Sequence, residues 1–334
     1  MTQTVLEAET GSRLDWRLLR TPVTLFAAAG VTSILMGIWV IGRWLVAGEF
    51  HLGFASSEET GASSARMLTI WLYQGVLAVT AVGFAAWGIW QCIRQRRLTF
   101  DGSLCLAYLW MFWMAPLLNC WRPILLYNAN LVHMPSWGPY IPGWRSVGAQ
   151  RQIEPLFVSS VGWLSMVIWP ITTGLVMGWF ILRRWPQLSG IRLTAAAFVC
   201  SVLIDWPLEA SYIAAGTAHY VGTEPSALTV FSGHWYQFPT LQFIPTTLVF
   251  AWIPYLVRHH YKTNGPDSTI LRGISLYPAR ARTTAQTLAL IGLMALGIVG
   301  VSICEWLVAW YNADGPLPSD LPSYFITVTD TAQP

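Results

Sequence analysis

The feature that most constrains this chain is a series of apolar stretches of the length that an α-helix needs to cross a bilayer, about 20 residues. Seven such stretches occur, at 22–46, 67–92, 103–127, 157–182, 193–217, 240–257 and 285–309. Only 10% of the residues are charged, against about 25% in soluble domains. Backbone polar groups inside a bilayer must bond within their own segment. The stretches therefore predict an all-α, polytopic membrane bundle of seven transmembrane helices.

Positive residues indicate the orientation of this bundle. Of the 19 Lys and Arg residues, all but Lys262 are arginines, and most lie in the loops on the same side as the N-terminus. The opposite loops hold only Arg66, Arg145 and Arg151. Since positively charged loops stay cytoplasmic, we expect the N-terminus inside and the C-terminus outside a bacterial plasma membrane. The expected partners of the basic loops are lipid headgroups, and nucleic acid is not an expected partner.

The same pattern divides the chain into regions. Residues 1–21 form a polar cytoplasmic tail without an apolar run, so we expect no cleaved signal peptide. Residues 22–310 form the membrane domain and 311–334 a polar outer tail. Two outer segments, 128–156 and 218–239, are rich in Trp, Tyr, Gly, Pro and His. Loops of this length tend to be functional, and we expect these two to be lids packed on the helix ends.

Two carboxyls in the fifth stretch give the sharpest indication of chemistry. Asp205 and Glu209 are one turn apart on one helix face, at about 18 and 12 Å from the outer end of the stretch. A charged Asp at mid-membrane costs roughly 2.5–3.5 kcal/mol, so such residues face a cavity or the bundle interior. Pro207 between them can bend the helix toward a cavity. We expect at least one carboxyl to stay protonated and act as a general acid; the alternative is hydrogen bonding between helices alone.

Arg122, in the third stretch, is the expected counter-ion. We place it about 7 to 8 Å below the outer end of that stretch, at a depth comparable with Glu209. Pairing with Arg122 would keep one carboxyl ionised and leave the other neutral, which is how two acids divide acid and base work. The alternative is that Arg122 extends to the membrane interface. Glu305 is a second partner for Arg122, although the sequence favours a structural role for it.

The first lid and the helix after it supply the expected substrate-binding residues. Their polar groups could orient substrate oxygens, and aromatic faces stabilise developing cations by about 0.5–2 kcal/mol. We predict that the substrate contacts Asn128, Asn130, His133, Ser136, Trp137, Glu154 and Tyr212. No metal is expected, because the outer histidines lack HxxxH or HxH spacing. The chain also lacks Walker, GxGxxG, GxSxG and HExxH motifs, so nucleotide-binding, serine-hydrolase and zinc-protease functions have no support.

A series of motifs carries a family resemblance: Arg122-Pro123, Tyr127-Asn128, Pro135-Ser136-Trp137-Gly138 and Pro142-Gly143-Trp144. The stretch with Asp205 and Glu209, and the segment with Tyr212, Tyr220 and Gly222 after it, fit the same pattern. Over about residues 70–310, the chain resembles the avermectin spirocyclase (AveC) family of actinobacterial membrane proteins. The resemblance implies spiroketal formation from a dihydroxy-ketone polyketide, sometimes coupled to dehydration, without a cofactor.

Together these observations predict an acid-catalysed cyclase that acts on an apolar small molecule. One of Asp205 and Glu209 is the acid and the other the base, Arg122 sets their charges, and the 128–156 lid excludes water. Two alternatives stay open. A membrane terpene cyclase also uses carboxylic acids and an aromatic pocket, and would convert polyprenyl substrates. A lipid or small-molecule binder or transporter would keep binding when both acids are replaced by amides.

Overall fold

The computed structural model describes residues 16–146, 152–221, 226–311 and 317–325. Most of the predicted cytoplasmic tail, and much of the outer tail, lie outside these ranges. Within them, six helices are long and apolar enough to cross a membrane. These are α1 (Pro22–Val46), α2 (Ser64–Gln95), α3 (Phe100–Asn119), α4 (Ser160–Leu182), α5 (Gly190–Ala214) and α7 (Ala279–Tyr311). The predicted helical membrane bundle is therefore confirmed.

A further helix, α6 (243–264), occupies the place of the sixth predicted span. It joins Phe243–Thr247, a π-helical stretch Leu248–Trp252, and Ile253–Asn264. It is not among the six helices that satisfy length and apolarity together. The count of seven spans and the orientation therefore stay predictions.

Side-chain caps set the beginnings of three helices. Thr21 precedes α1 and accepts a hydrogen bond from the Thr24 amide, with Pro22 at the first helical position. Ser63 caps α2 and Thr99 caps α3 in the same way. A hydroxyl at this position satisfies an amide that has no partner inside the helix. Each cap lies within four residues of the predicted boundary, where the apolar run begins.

The end of α3 differs from the prediction, because the helix stops at Asn119 and not at residue 127. After Trp110 the helix tightens to 3₁₀ geometry over Met111–Asn119. The Asn119 Oδ1 accepts hydrogen bonds from the amides of Ile124 (2.8 Å) and Leu125 (2.9 Å), and its Nδ2 donates to the Leu125 carbonyl (2.9 Å). These bonds turn the chain, so the apolar residues that follow belong to a buried strand.

The described part of the lids, together with residues 125–127 just before the first lid, contains three two-stranded antiparallel sheets, which the all-α prediction missed. They pair β1 (Leu125–Tyr127) with β4 (Ala218–Tyr220), β2 (His133–Pro135) with β3 (Ile153–Pro155), and β5 (Thr229–Val230) with β6 (Phe238–Pro239). Buried backbone amides and carbonyls need partners. Strand pairing supplies them where the lids pack on the helices. We call this end of the bundle the lid end.

The longest packing contact runs between α1 and α7, and it depends on two glycines. A Cβ on Gly292 would lie 1.9 Å from the Phe26 carbonyl oxygen, and one on Gly30 would lie 2.0 Å from the Leu288 carbonyl oxygen. Small residues let transmembrane helices approach this closely. The two glycines therefore set the distance between the first and last helices.

We expect Gly292→Ala to lower the free energy of unfolding by about 1–3 kcal/mol, because the added methyl group must push α1 and α7 apart. The matched control is Gly300→Ala on the same helix, where a Cβ would meet nothing within 4 Å. Thermal unfolding of the purified variants in detergent measures both. Equal midpoints for the two variants would contradict the close α1–α7 contact.

At the opposite end of the bundle, which we call the arginine end, a charged cluster ties α3 to α6. Asp101 accepts hydrogen bonds from Arg258 Nε (2.7 Å) and Nη2 (3.2 Å), and from Lys262 Nζ (3.4 Å). The side chain of Asp101 is 9% exposed and that of Arg258 is 18% exposed. This is a largely buried, bidentate ion pair.

Candidate functional site

A cavity of about 470 Å³ lies among α2, α4, α5, α6 and α7, next to the β1–β4 pair. Pockets for small molecules typically measure about 300–1,000 Å³ and are mostly apolar with a few placed polar groups. The wall follows this description. Its polar and aromatic residues are Tyr73, Thr80, Tyr127, Trp163, Ser165, Trp169, Thr172, Glu209, Tyr212, Tyr220, Thr246, Phe250 and Glu305.

Two carboxyls reach the cavity wall from different helices. Glu209 on α5 lies about 8 Å from the lid end of its helix, and Glu305 on α7 about 9 Å from the corresponding end, by the rise of an α-helix. Both line the cavity. Glu209 interacts electrostatically with Glu305 and with Asp205. Three carboxyls therefore share one largely apolar region of the bundle.

Asp205 lies behind this wall. It is fully buried and does not line the cavity. The hydroxyl of Thr247 on α6 donates a hydrogen bond to its Oδ2. Pro207, two residues closer to the lid end, lines the cavity and has no amide hydrogen, so the helix lacks one internal hydrogen bond beside the acids. Asp205 thus influences the site through its electrostatic interaction with Glu209.

The carboxyls differ in their hydrogen bonds. Gln242 Nε2 donates to Glu305 Oε2 at 2.6 Å, and both residues are buried. Among the described residues, Glu209 Oε2 and Asp205 Oδ1 are buried without a hydrogen-bond partner. Unsatisfied buried oxygens are costly. The free Glu209 oxygen, on the cavity wall, is placed to bond a ligand.

Four tyrosines form one wall of the cavity. Tyr127 and Tyr220 come from the paired strands β1 and β4, Tyr212 from α5, and Tyr73 from α2. Burial raises the pKa of Tyr127, and nearby Glu154 adds to this. Burial, and then Glu209 and Glu305, raise the pKa of Tyr220. Both strand hydroxyls therefore stay protonated. The Tyr127 hydroxyl donates to Ser159 Oγ at 3.3 Å, and the Tyr220 hydroxyl can donate a hydrogen bond to a ligand.

Aromatic rings from α4 and α6 form a separate wall. Trp163 and Trp169 each make an edge-to-face contact with Phe250, with ring centroids 5.6 and 5.9 Å apart. All three rings line the cavity. Aromatic faces stabilise a cation by about 0.5–2 kcal/mol. This wall suits a ligand that develops positive charge.

Of the predicted site residues, Glu209 and Tyr212 line the cavity, and Asp205 lies behind it. Arg122 lies half-buried in the turn after α3, outside the helix in which the sequence placed it, and it is not on the cavity wall. Glu305, Tyr73, Tyr127, Tyr220, Trp163 and Trp169 were not predicted as site residues. Glu305 carried a signal, because it is a carboxyl inside an apolar stretch, at a depth similar to Glu209.

The predicted residues of the first lid bond to the protein itself. Asn128 Nδ2 donates to the Gly216 carbonyl (2.7 Å), and Asn130 Nδ2 to Ala55 O (2.8 Å) and Thr60 Oγ1 (2.9 Å). The same holds for the His133 ring with the Leu131 carbonyl (2.8 Å) and for Trp137 Nε1 with the Trp113 carbonyl (2.7 Å). None of these lid residues lines the cavity. The bonds of Asn128 and Trp137 attach the lid to the end of α5 and to α3.

Glu154 and Ser136 pair beneath the lid. The Ser136 hydroxyl donates to Glu154 Oε1 at 2.6 Å, across the β2–β3 pair. Burial raises the pKa of Glu154 to about 8, and the Ser136 hydrogen bond opposes that shift. Glu154 therefore holds its proton at neutral pH.

This proton makes stability depend on pH. Between pH 4.5 and about 8 the folded chain keeps the Glu154 proton, whereas the unfolded chain releases it. The Glu154 contribution to stability must therefore fall as pH rises through this window, by up to about 1.4 kcal/mol per pH unit. Burial lowers the pKa of His133 and His219, so the contribution of these two residues to stability rises with pH.

The measurement is the difference in unfolding midpoint between the wild-type protein and Glu154→Gln from pH 5 to pH 8. The amide keeps a carbonyl oxygen for Ser136 and does not titrate, so the histidine contributions cancel in the difference. We expect the wild type to lose stability relative to the variant as pH rises. A difference that stays constant over this range would contradict a protonated Glu154.

Among the described residues, no group of three or more His, Cys, Asp or Glu side chains has the arrangement of a metal site.

Comparison with known proteins gives one family. A family model described as Spirocyclase AveC-like matches residues 95–322. The matched region includes α3 to α6, the lids, Glu209 and Glu305, and it leaves out the α2 part of the cavity wall. No curated protein and no solved structure matches the chain.

Proposed function

Because the chain belongs to the spirocyclase AveC-like family, we propose that it is a membrane-embedded cyclase that forms a spiroketal from a dihydroxy-ketone, polyketide-like substrate. The observation that carries the proposal is the cavity in which Glu209 and Glu305 face a mostly apolar, aromatic space. Acid-catalysed ketal formation needs a proton donor, a proton acceptor and a site that excludes water. It needs no cofactor.

Glu209 is the proposed acid and Glu305 the proposed base. Three carboxyls that share an apolar region cannot all ionise at low cost, and Glu209 lies next to both others. The Gln242 amide donates to Glu305, and such a bond favours the charged form of a carboxyl. This division of roles is how paired acids run acid and base chemistry in one site.

In the first step, a substrate hydroxyl attacks the ketone carbon and forms a C–O bond. Glu209 gives its proton to the carbonyl oxygen, and Glu305 takes the proton of the attacking hydroxyl. The product is a hemiketal. The tyrosine wall, with hydroxyls that stay protonated, donates hydrogen bonds that hold the substrate oxygens in position.

In the second step, protonated Glu305 donates to the hemiketal hydroxyl, which leaves as water and gives an oxocarbenium ion. Trp163, Trp169 and Phe250 stabilise this cation. The second substrate hydroxyl then adds to the cation, and its proton returns to Glu209. Both carboxyls recover their starting states, and the net change is the loss of one water.

Asp205, Arg122 and the lid have supporting roles in this proposal. Asp205 positions Glu209 electrostatically and is anchored by Thr247. Arg122 lies in the turn before Ile124, which lines the cavity, and it sets the charge balance at the rim. The predicted lid contacts from Asn128 to Glu154 keep water out by holding the lid closed, which strengthens electrostatic effects inside.

We also propose that α6 is a seventh span and that the lid end faces outward. Phe250 and Ala251, in the middle of α6, are buried in the bundle, so this helix runs through it beside α4, α5 and α7. The arginine end would then be cytoplasmic. The membrane would be a bacterial plasma membrane.

The test is product analysis by mass spectrometry after purified protein in membranes is incubated with a dihydroxy-ketone polyketide precursor. We expect a product lighter by one water, with the spiroketal connectivity established by NMR. A further loss of water would show coupled dehydration. Recovery of the precursor unchanged, although it binds, would overturn the enzyme proposal in favour of a small-molecule binder.

The aromatic wall favours one second candidate, a terpene cyclase. Trp163, Trp169 and Phe250 would serve a carbocation as well as an oxocarbenium ion, and protonated Glu209 could begin cyclisation of an alkene. Incubation with polyprenyl substrates separates the two. A cyclic hydrocarbon product, with no reaction of the dihydroxy ketone, would replace the spiroketal proposal.

A further inference from the structure

The cavity wall is not equally buried on all sides. Ile124, Ile298 and Val301 line its inner side and are 1%, 2% and 4% exposed. Val76 and Leu208 also line the cavity, yet they are 64% and 40% exposed. Exposure rises toward α2 and α5, so the cavity opens on that side of the bundle.

The opening lies between α2 and α5, with α4 behind it. Ile168 of α4 lines the cavity and is 40% exposed. Val76 lies about 18 Å along α2 from its lid end, and Leu208 about 9 Å along α5. These depths are within the helical spans. The opening is therefore at the level of the hydrocarbon core.

Between this level and the lid end, contacts between α2 and α5 close the space that separates the two helices. The Tyr73 hydroxyl lies 3.4 Å from Ser211 Oγ, and the Tyr73 and Tyr212 rings are 6.5 Å apart. Arg66 Nη1 donates to the Ala214 carbonyl at 3.1 Å. Below these contacts, α2 packs on the first part of α4 and on α3. The two helices are thus joined at the lid end and separate toward the middle.

The described part of the lid covers the cavity from the other direction. Tyr127 and Tyr220 lie in the β1–β4 pair directly over it, and they are 6% and 8% exposed. Asn128 bonds this pair to the end of α5 at Gly216. A substrate arriving from water at the lid end would have to break these bonds.

We infer that the substrate enters the cavity sideways from the bilayer, through a portal between α2 and α5 lined by Val76, Ile168, Pro207 and Leu208. The ligand class that fits is an amphipathic molecule that dissolves in the membrane. Its apolar chain lies in the portal, and its oxygens face Glu209, Glu305 and the tyrosines. The inference rests on the proposed function only in assigning this cavity to the substrate.

The test uses full-length protein in phosphatidylcholine nanodiscs and a medium-chain alcohol that carries an alkyl diazirine. Light converts the diazirine to a carbene, which inserts into nearby groups, and peptide mass spectrometry locates the adducts. We expect adducts on Glu209 and Glu305 in the wild type. Val76→Trp and Leu208→Trp, which fill the portal, should each reduce these adducts at least fivefold.

Matched controls come from the same two helices. Val79 and Leu203 are 74% and 66% exposed and do not line the cavity. We therefore expect the Val79→Trp and Leu203→Trp variants to give the same yield of adducts on the two glutamates as the wild type. All four sites are exposed, so folding should be kept, and gel filtration checks it. Equal labelling in the portal and control variants would overturn the inference. So would equal labelling of the two glutamates by a charged, membrane-impermeant diazirine of the same length.

This readout does not depend on turnover. If portal-dependent labelling occurs but the dihydroxy ketone is not converted, the portal stands and the proposed chemistry fails. The opposite outcome is that the wild type converts the ketone, and that the portal variants convert it and form adducts to the same extent as the control variants. The proposed chemistry would then stand, and the portal inference would fail.

Discussion

Glu209→Gln and Glu305→Gln should each lower kcat by about 10²–10⁴-fold, the usual contribution of a positioned acid or base. The amide keeps the shape of the side chain but can neither give nor take the proton in the proposed steps. Both residues transfer protons in the proposed steps, so we expect the effect on kcat to be larger than the effect on KM. Turnover of the dihydroxy ketone by purified variants in nanodiscs measures it.

Asp205→Asn separates a positioning role from a structural one. Asp205 does not line the cavity, so its effect on kcat should be smaller than that of Glu209→Gln. It should also change the pH profile of kcat, because it removes an ionisable carboxyl beside Glu209. A substitution that only loosened packing would lower activity at every pH alike.

The control for these variants is Glu58→Gln, at an exposed glutamate of the short helix Ser57–Thr60 outside the cavity. The Glu58→Gln variant should convert the dihydroxy ketone at the wild-type rate. Wild-type turnover in both Glu209→Gln and Glu305→Gln would remove the carboxyls from the mechanism. Retained ligand binding in variants without turnover would show that the cavity itself is intact.

Asp101→Ala is expected to lower the free energy of unfolding by about 3 kcal/mol. Removing one partner of a largely buried ion pair leaves the other charge uncompensated, and here Arg258 and Lys262 both lose their carboxylate. Thermal or denaturant unfolding in detergent measures the change. The variant should also lose the ionic contact that attaches α3 to α6, so proteolysis at the arginine end should become faster.

The control is the exposed ion pair of His234 and Asp320, whose side chains are 53% and 40% exposed. Exposed pairs contribute about 0–1 kcal/mol. Asp320→Ala should therefore change the unfolding midpoint little. If the two alanine variants unfold alike, the burial of the Asp101 cluster does not contribute to stability as described.

Much of the bundle could be predicted from the sequence, since an apolar run about 20 residues long has few folded forms other than a spanning helix. The bounds of α1 agree with the prediction. The end of α3 could not be predicted from apolarity, because residues 124–126 are apolar as a buried strand and would be equally apolar as a helix. What ends the helix is the side chain of Asn119, whose bonds to Ile124 and Leu125 depend on the turned backbone.

The site was predictable only within one helix. Asp205 and Glu209 are four residues apart, so helical periodicity brings them together. Glu305 is distant in sequence, and its approach to Glu209 depends on how α5 and α7 pack. The tyrosine wall depends on the β1–β4 register, in which Leu125 pairs with Tyr220 and Tyr127 with Ala218. Such long-range pairings leave no local pattern in a single sequence.

The two unlike walls of the cavity have a consequence for the handedness of a product. An oxocarbenium ion is planar at carbon, and in water both of its faces are open to a nucleophile. In this cavity the Tyr220 hydroxyl supplies a hydrogen-bond donor from one wall, whereas Trp163 and Trp169 present aromatic rings from another. In the proposed reaction the cation would rest on the rings and leave one face to the second hydroxyl. A chain folded this way would release a single spiro epimer, selected by the shape of its walls.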